Sequence, residues 1–243
     1  MRKIIKIKNK FLRFFRFFFK LTKKKYFNFF ILHKVNNDLL SRLCRKYGTD
    51  KGFEDNTAAN RNCHTYSGYY HHLFSHCRDN VKLVFECGIG TNNPKLLSSM
   101  GSKGKPGASL RVWKSYFPKA TIYGADIDKK ILFSEERIKT FYLNQLNSRS
   151  IKKAFNKIKK KNFDLIIDDG LHTFESGRIF FENSINFLSK TGIFIIEDVA
   201  YKDLIKYIQY FDQKKKYIVS YIGLTLNPKV AGDSTLINIR RLY

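Results

Sequence analysis

The chain has 243 residues, of which 43% are hydrophobic, and this size and composition fit one domain with a sizeable core. Its 4 Pro and 14 Gly exclude a low-complexity polymer. A formal net charge of +26 favours anionic partners, whether nucleic acid, acidic lipid or phosphorylated substrates, without choosing among them. The 4 cysteines indicate reduced thiols in a cytoplasm, because a chain of this length needs no disulfide staples.

Residues 1–34 form a basic extension that carries twelve Lys or Arg and no Asp or Glu. Within residues 1–25 the basic side chains recur every three or four positions, which predicts an amphipathic helix. Its longest apolar run is Phe17-Phe18-Phe19, far below the roughly 20 residues that span a bilayer. We expect this helix to lie on an anionic membrane surface. Docking on this protein or on a second subunit, and contact with nucleic acid, are the alternatives.

Residues 35–243 make up the predicted folded domain, and residues 35–80 form its mostly helical lead-in, with a polar loop at 48–52. Apolar runs and helical stretches then alternate. Strands are predicted at 81–86, 120–126, 140–143, 163–168 and 192–197, with helices such as 150–161 and 174–188 between them and a closing pair of strands at 217–222 and 235–240. This alternation predicts an α/β fold with a mostly parallel, seven-stranded sheet and helices on both faces.

The first predicted strand ends in a glycine-rich turn, Glu86-Cys-Gly-Ile-Gly90. Gly88 and Gly90 let the backbone approach a ligand closely, at the edge of the sheet where such folds bind ligands. Dinucleotide-binding turns have a third glycine, whereas Thr91 follows here, so the turn fits S-adenosylmethionine better. Asp126 ends the second strand and is placed to accept hydrogen bonds from ribose hydroxyls. Capping of the next helix is its alternative role.

Acidic residues also follow the fourth and fifth predicted strands. Asp169, Glu197 and Asp198 together offer an oxygen-rich site to Mg²⁺ or Mn²⁺, because neighbouring carboxylates repel one another unless a cation lies between them. His172, three residues after Asp169, would face the same cleft as a general base for a hydroxyl. A buried structural histidine is the alternative interpretation.

Histidines and cysteines crowd into residues 63–77. No paired Cys-x-x-Cys spacing supports a zinc site there. We expect His64 and Tyr66 to join Asp50 and Lys51 in a loop that covers the active site and contacts the substrate.

Six motifs between residues 47 and 199 carry a more specific resemblance. They are Tyr47-Gly-Thr-Asp-Lys-Gly52, Gly107-Ala-Ser-Leu-Arg-Val-Trp113, Tyr116-Phe-Pro118, Tyr123-Gly-Ala-Asp-Ile-Asp128, Asp168-Asp-Gly-Leu-His172 and Ile196-Glu-Asp-Val199. In these motifs the chain resembles the metal-dependent sugar O-methyltransferases typified by the macrolide-sugar enzymes, which have relatives in bacterial surface-polysaccharide synthesis. The resemblance implies the Rossmann-like class I methyltransferase fold and S-adenosylmethionine as the methyl donor.

The resemblance also implies roles for individual residues. S-adenosylmethionine would be held by Glu86, Gly88 and Gly90 at its methionine end, Ser109 at its carboxylate, Asp126 at its ribose, Gln145 beside its adenine and Asp168 at its amino group. Asp169, Glu197 and Asp198 match the family's metal ligands, and His172, next to Asp169 in the site, matches its catalytic base. Leu171 stands where the family's motif has Ser, and the loop 91–106 would cover the cofactor or the acceptor.

The sequence therefore predicts an O-methyltransferase that methylates a hydroxyl of a sugar, free or nucleotide-linked, for a bacterial surface polysaccharide. We expect a cytoplasmic homo-oligomer with peripheral membrane contact through residues 1–25. An RNA methyltransferase is disfavoured, because residues 168–172 replace an Asn-Pro-Pro-Tyr type motif. A non-catalytic membrane-surface or assembly protein with this fold is the other alternative, although every acid and the histidine needed for the chemistry are present.

Overall fold

The computed structural model describes residues 37–52, 64–224 and 235–242. The predicted basic extension at 1–34, with its amphipathic helix, lies outside these residues. Within the described ranges, none of the helices combines the length and the apolarity needed to cross a membrane.

Helices and strands alternate along the described chain after a helical lead-in. The helices are α1 (Leu39–Tyr47), α2 (Tyr66–Phe74), α3 (Ala108–Tyr116), α4 (Ser148–Ile158), α5 (Phe174–Ser184) and α6 (Tyr201–Asp212). The strands are β1 (Leu83–Cys87), β2 (Thr121–Asp126), β3 (Ser134–Glu135), β4 (Ile138–Tyr142), β5 (Phe163–Asp168), β6 (Leu188–Ile196), β7 (Tyr217–Gly223) and β8 (Thr235–Arg241). This order confirms the predicted α/β class.

The described strands form one sheet in the order β3-β4-β2-β1-β5-β6-β8-β7. The five central strands are parallel, and β3, β8 and β7 pair antiparallel to their neighbours. The sheet thus has eight strands rather than the predicted seven. The additional strand, β3, has only two residues, Ser134 and Glu135, which is too short to produce the alternating pattern by which strands are predicted.

Two apolar layers cover the two faces of the sheet. Val84 of β1 and Leu165 of β5 point into the layer that contains α1, α2 and α3. Phe85 and Ile166, the next residues along the same strands, point into the layer that contains α4, α5 and α6. Because successive side chains of a strand alternate between faces, strands buried on both sides appear in the sequence as continuous apolar runs.

The strand order reverses between β1 and β5. From β1 the chain proceeds to β2 and β4 on one side, and it later builds β5 and β6 on the other. Ligands of open α/β sheets bind in the crevice outside the carboxyl ends of the strands at such a reversal. The predicted site residues at the ends of β1, β2, β5 and β6 therefore meet at this edge.

Candidate functional site

Acidic side chains lie close together at the carboxyl edge of the sheet, because backbone hydrogen bonds between neighbouring strands continue beyond the strand ends. The Asp169 amide donates a hydrogen bond to the Cys87 carbonyl (2.8 Å), and the Glu197 amide donates to the Asp168 carbonyl (2.9 Å). These bonds place Asp169 directly after β5 and Glu197 directly after β6, next to the glycine turn after β1.

A cavity of about 920 Å³ opens at this edge, within the size range of about 300–1,000 Å³ that is typical of small-molecule sites. Its lining includes Gly88, Gly90, Ser109, Asp126 and Gln145 on one side. Asp169, His172 and Asp198 line the same cavity, together with the loop 95–105. One space therefore joins most of the predicted cofactor residues to the predicted base and two of the three predicted metal ligands.

The glycine turn adopts left-handed backbone conformations that require glycine. Gly88 has φ +84° and Gly90 has φ +82°, a region that residues with a Cβ atom rarely enter. Gly88 also packs against the residues after β5, and Met100 of the covering loop lies against Gly90. The turn thus brings the β1 and β5 ends together and leaves its backbone at the cavity.

Asp126 is held by backbone amides at the end of β2. One carboxylate oxygen accepts from the Ile89 amide (3.0 Å) and the other from the Asp128 amide (2.9 Å). Burial raises the pKa of Asp126, whereas these amide hydrogen bonds oppose the rise. Capping of the next turn falls to Asp128, which accepts from the Lys130 amide (3.0 Å). Asp126 is therefore left to face the cavity.

Gln145 links the end of β5 to the loop that follows it. Its amide nitrogen donates to Asp168 (2.5 Å), and its oxygen accepts from the Leu171 backbone amide (2.8 Å). Burial raises the pKa of Asp168 to about 6. The other Asp168 carboxylate oxygen is buried without a hydrogen-bond partner among the described residues. Gln145 thus contacts the backbone of Leu171, the residue at which the sequence departs from the family's motif.

His172 lies between two carboxylates. Its Nε2 is 3.3 Å from Asp169, and its Nδ1 is 3.5 Å from Asp198. Suitable donor atoms of these three residues all lie within 4.8 Å of one another. His172 (φ +56°) and Asp198 (φ +51°) both have left-handed backbone conformations. Such conformations cost about 1–3 kcal/mol each and cluster at functional sites.

The carboxylates around His172 control its protonation. Burial alone lowers the pKa of His172, but the Asp169 hydrogen bond and the Asp198 charge raise it to about 10. The Lys51 and His172 charges in turn lower the pKa of Asp169 to about 2 against the effect of burial. The two carboxylates thus favour the protonated form of His172 where no cation is bound beside it.

Glu197 is separate from this group, although Asp198 is its neighbour in sequence. One Glu197 oxygen accepts from the Tyr70 hydroxyl (2.6 Å), and the other accepts from the Lys51 ammonium group. Both partners come from the lead-in, and Glu197 is 1% exposed. Glu197 is also not among the residues that line the cavity. The predicted set of three metal ligands is thus divided between two neighbouring polar clusters.

The four residues predicted to contact substrate lie together, but only one of them reaches the cavity. Asp50 lines it, whereas Lys51 (3% exposed), His64 and Tyr66 are buried below it. The Tyr66 hydroxyl donates to Asp198 (2.5 Å), and its ring stacks on His64, with the ring centroids 4.4 Å apart. His64 Nε2 is 3.4 Å from Asp198. The lead-in therefore supports the carboxylates from behind.

Glu86 is fully buried at the end of β1. Its carboxylate accepts a hydrogen bond from the Trp113 indole (2.7 Å). Burial raises the pKa of Glu86, and the nearby Lys51 charge opposes this rise. Sequence analysis missed the polar contacts of Trp113 and Tyr70, and it expected Lys51 to contact the substrate and not the carboxylates. The spacing of Tyr66 and Tyr70, four residues apart on α2, is a signal that both lie on one face of the helix.

No protein-family model matches the chain. It is 30% identical over 173 residues to the L-olivosyl-oleandolide 3-O-methyltransferase of Streptomyces antibioticus, an alignment that covers 69% of this chain and 39% of that protein. It is 31% identical over 162 residues to the mycinamicin VI 2''-O-methyltransferase of Micromonospora griseorubida, covering 66% and 36%. The chain is a homologue of sugar O-methyltransferases. It spans less than two fifths of the length of most of these curated relatives, including the tetracenomycin rhamnosyl 2'-O-methyltransferase of Streptomyces olivaceus, of which it covers 37%.

Solved structures agree on the fold of this sugar O-methyltransferase homologue. The MycE methyltransferase of the mycinamycin biosynthetic pathway, solved in complex with Mg and SAH, has a TM-score of 0.59 at 23% identity over 85% of this chain and 55% of its own. A putative caffeoyl-CoA O-methyltransferase from Staphylococcus aureus has a TM-score of 0.55 at 14% identity over 87% and 96%. The Rossmann-like class I methyltransferase fold is thereby confirmed.

The residues at the cavity of this protein can be compared with the two groups that its sequence predicts, a divalent cation and S-adenosylmethionine. The carboxylates of Asp169 and Asp198 converge at the cavity, and carboxylate oxygens are ligands that suit Mg²⁺ or Mn²⁺. The unpartnered Oδ2 of Asp168 lies beside Gly177, away from the residues that line the cavity, so this oxygen does not mark the position of an amino group there. A Cβ atom on Gly88 would collide with the backbone of Asp169, and one on Gly90 would meet the end of the Met100 side chain, so the turn packs closely between these two neighbours.

Proposed function

We propose that the protein is an S-adenosylmethionine-dependent O-methyltransferase that methylates a hydroxyl of a sugar with the help of a divalent cation. One observation carries the proposal. A single cavity contains Asp126 and the glycine turn on one side and Asp169, His172 and Asp198 on the other. The sugar O-methyltransferases to which the chain is homologous support the same activity and acceptor class.

The residues proposed to hold S-adenosylmethionine follow the cavity from the glycine turn to Gln145. Asp126 would accept hydrogen bonds from the ribose hydroxyls, and Gln145 would lie beside the adenine. The backbone at Gly88 and Gly90 would contact the methionine portion, with Ser109 near its carboxylate and Asp168 near its amino group. Glu86 acts from behind the turn, because its carboxylate is fully buried and accepts a hydrogen bond from Trp113.

The proposed cation is Mg²⁺ or Mn²⁺, held by Asp169 and Asp198 at the cavity. Glu197 remains a proposed third ligand, although Lys51 and Tyr70 hold its oxygens here. When bound, such a cation makes a hydroxyl more acidic, as a metal lowers the pKa of bound water from about 15.7 to about 7.

His172 is the proposed general base. With the charges of Asp169 and Asp198 neutralised, the His172 imidazole accepts the proton of the sugar hydroxyl, whose O–H bond breaks as the new O–CH₃ bond forms. When bound, S-adenosylmethionine would supply the electrophilic methyl group, whose bond to sulfur breaks to give S-adenosylhomocysteine. Both ring nitrogens face carboxylates in this structure, so one of them would turn from its carboxylate to the hydroxyl while the other keeps the ring oriented. Much of the rate acceleration would come from this positioning.

We propose a nucleotide-linked sugar as the acceptor. Lys95, Lys103 and Lys105 are exposed and line the cavity on the covering loop. Their charges are suited to the phosphates of a nucleotide diphosphate. Replacing Lys95 and Lys105 with Met should raise the KM of a nucleotide sugar and leave the KM of the corresponding free sugar unchanged. An equal rise for both acceptors would remove the phosphate from the proposal.

We further propose that the protein is a cytoplasmic homo-oligomer that acts in surface-polysaccharide synthesis. It would contact an anionic membrane through residues 1–25. The basic amphipathic pattern of that segment supports the membrane contact. The test compares binding of the full chain and of a chain that begins at Val35 to vesicles with and without anionic lipid. Equal binding of both chains would rule out the membrane role of this segment.

The central experiment is transfer of a labelled methyl group from S-adenosylmethionine to a panel of sugars and nucleotide sugars, with and without a chelator. We expect label in a sugar, loss of transfer on chelation, and recovery with Mg²⁺ or Mn²⁺. Transfer that survives chelation would contradict the role of the cation. Cofactor binding without transfer to any sugar would contradict the acceptor class and redirect the search to RNA, lipid or protein.

A further inference from the structure

Lys51 is a buried cation surrounded by carboxylates from three strands. Its ammonium nitrogen lies 2.6 Å from Asp169 and 3.4 Å from Glu86, and it also contacts Glu197. The Lys51 side chain is 4% exposed, and those of Glu86 and Glu197 are 0% and 1% exposed. Charges buried this deeply are retained only where they are paired, since isolated ions lose several kcal/mol of hydration.

Asp169 divides its two carboxylate oxygens between an inner and an outer partner. The inner oxygen, Oδ2, accepts from Lys51, whereas the outer oxygen, Oδ1, faces His172. Asp169 lines the cavity and Lys51 does not. Lys51 thus binds the carboxylate from the protein interior and leaves its outer oxygen at the reacting side.

The backbone around Lys51 is fixed by both lead-in helices. Gly48 ends α1 in a left-handed conformation (φ +76°), and its amide donates to the Cys44 carbonyl. The Lys51 carbonyl accepts from the Ser67 amide at the start of α2 (2.9 Å). At Gly52 a Cβ atom would lie 2.7 Å from that of Cys44. Lys51 therefore enters the carboxylate cluster from a rigid turn.

We propose that Lys51 is a positioning residue that serves as the permanent internal cation of the active site. It pairs with Glu86 and Glu197 in the protein without a bound cation, and it holds Asp169 with one oxygen directed at the cavity. Only the contribution of Lys51 to methyl transfer, through Asp169, rests on the proposed function. The pairing itself is tested without cofactor and in the presence of a chelator.

The first test is thermal unfolding of the full chain carrying Lys51→Met, with a chelator and no cofactor present. Breaking a buried ion pair from one side leaves uncompensated charge, so we expect the unfolding midpoint to fall by about 10 °C. Lys152→Met, on the exposed side of α4, is the matched control and should change the midpoint by less than about 2 °C. Equal midpoints of the two variants would overturn the proposal.

A double-mutant cycle then separates charge from packing. Glu197→Gln removes one of the charges that Lys51 neutralises, so Lys51→Met should cost much less in the Glu197→Gln background than in the wild type. Additive losses would overturn the proposal, because they are the result of packing alone. If Lys51→Met does not fold, the double variant should still fold; failure of both would also overturn it.

Chemical rescue provides a readout that a packing role would not change. Lys51→Ala removes the ammonium group together with its stem, and ethylammonium should restore the unfolding midpoint and the turnover where ethanol does not. Equal rescue by ethanol would show that volume, rather than charge, is what Lys51 supplies. The unfolding results do not depend on methyl transfer, so failure of the proposed function remains distinguishable from failure of this proposal.

Discussion

Gly88 lies so close to Asp169 that a Cβ atom added to Gly88 would be 2.0 Å from the Asp169 carbonyl oxygen. The contact joins the turn after β1 to the segment after β5, which are the two elements between which the strand order reverses. A glycine in the proposed cofactor turn thereby determines where a proposed metal ligand stands.

Gly88→Ala should therefore damage both parts of the site. The substitution adds a clash with backbone and strains a left-handed residue, so we expect a loss of about 2–4 kcal/mol in the free energy of unfolding. Mn²⁺ binding should weaken as Asp169 moves. Urea unfolding and Mn²⁺ titration measure the two effects.

Gly101→Ala is the matched control for Gly88→Ala. Gly101 also has a positive φ (+73°), but no other atom lies within 4 Å of the position of its Cβ. The free energy of unfolding of Gly101→Ala should fall by only about 1 kcal/mol, the cost of placing alanine in a left-handed conformation, and the variant should retain Mn²⁺ binding. Similar losses in both variants would mean that backbone strain, and not the contact with Asp169, explains the result.

Much of the site could be predicted because parallel strands end at the same edge. Asp126, Asp169 and Asp198 each follow an apolar run, so their proximity follows from the topology alone. The separation of Glu197 from Asp198 could not be predicted as easily. Successive residues of an extended chain point to opposite sides, and the left-handed conformation of Asp198 directs its side chain to His172.

The sequence placed Lys51 in the active-site loop, but it could not reveal that the Lys51 ammonium group pairs with three carboxylates. Lys51 is 118 residues away from Asp169 along the chain, within a polar turn that resembles many exposed turns. Its burial depends on how α1 and α2 pack over the edge of the sheet, which no local pattern encodes. The two-residue strand β3 escaped prediction for a similar reason, since its pairing with β4 is a tertiary contact.

Asp126→Asn should weaken binding of S-adenosylhomocysteine at neutral pH. Hydrogen bonds to a charged acceptor contribute about 1.5–3 kcal/mol, so the dissociation constant should rise about 10- to 100-fold. Burial raises the pKa of Asp126, so as the pH falls this carboxylate is protonated earlier than an exposed aspartate. The ratio of the two dissociation constants should then shrink on acidification. Calorimetry at several pH values measures it, and a constant ratio would contradict the ribose role.

His172→Ala should abolish turnover and leave cofactor binding almost intact. General-base catalysis contributes about 10²- to 10⁴-fold to rate, whereas His172 is expected to stand at the acceptor side of the cavity. Single-turnover kinetics and the dissociation constant of S-adenosylhomocysteine separate the two quantities. His71→Ala, at a half-buried histidine bound to Tyr116 on the helical layer, is a control that should keep both. Weak cofactor binding with normal turnover in His172→Ala would remove the base assignment.

Gln145→Leu should disorder the loop that carries His172. The change removes the donor to Asp168 and the acceptor for the Leu171 amide, and an unsatisfied buried group costs about 1–3 kcal/mol. We expect a comparable loss of stability and faster hydrogen exchange at Leu171 than in the wild type. Gln209→Leu, on the exposed side of α6, makes the same chemical change without these contacts and should leave both quantities unchanged. Unchanged exchange at Leu171 in Gln145→Leu would show that other contacts hold the loop.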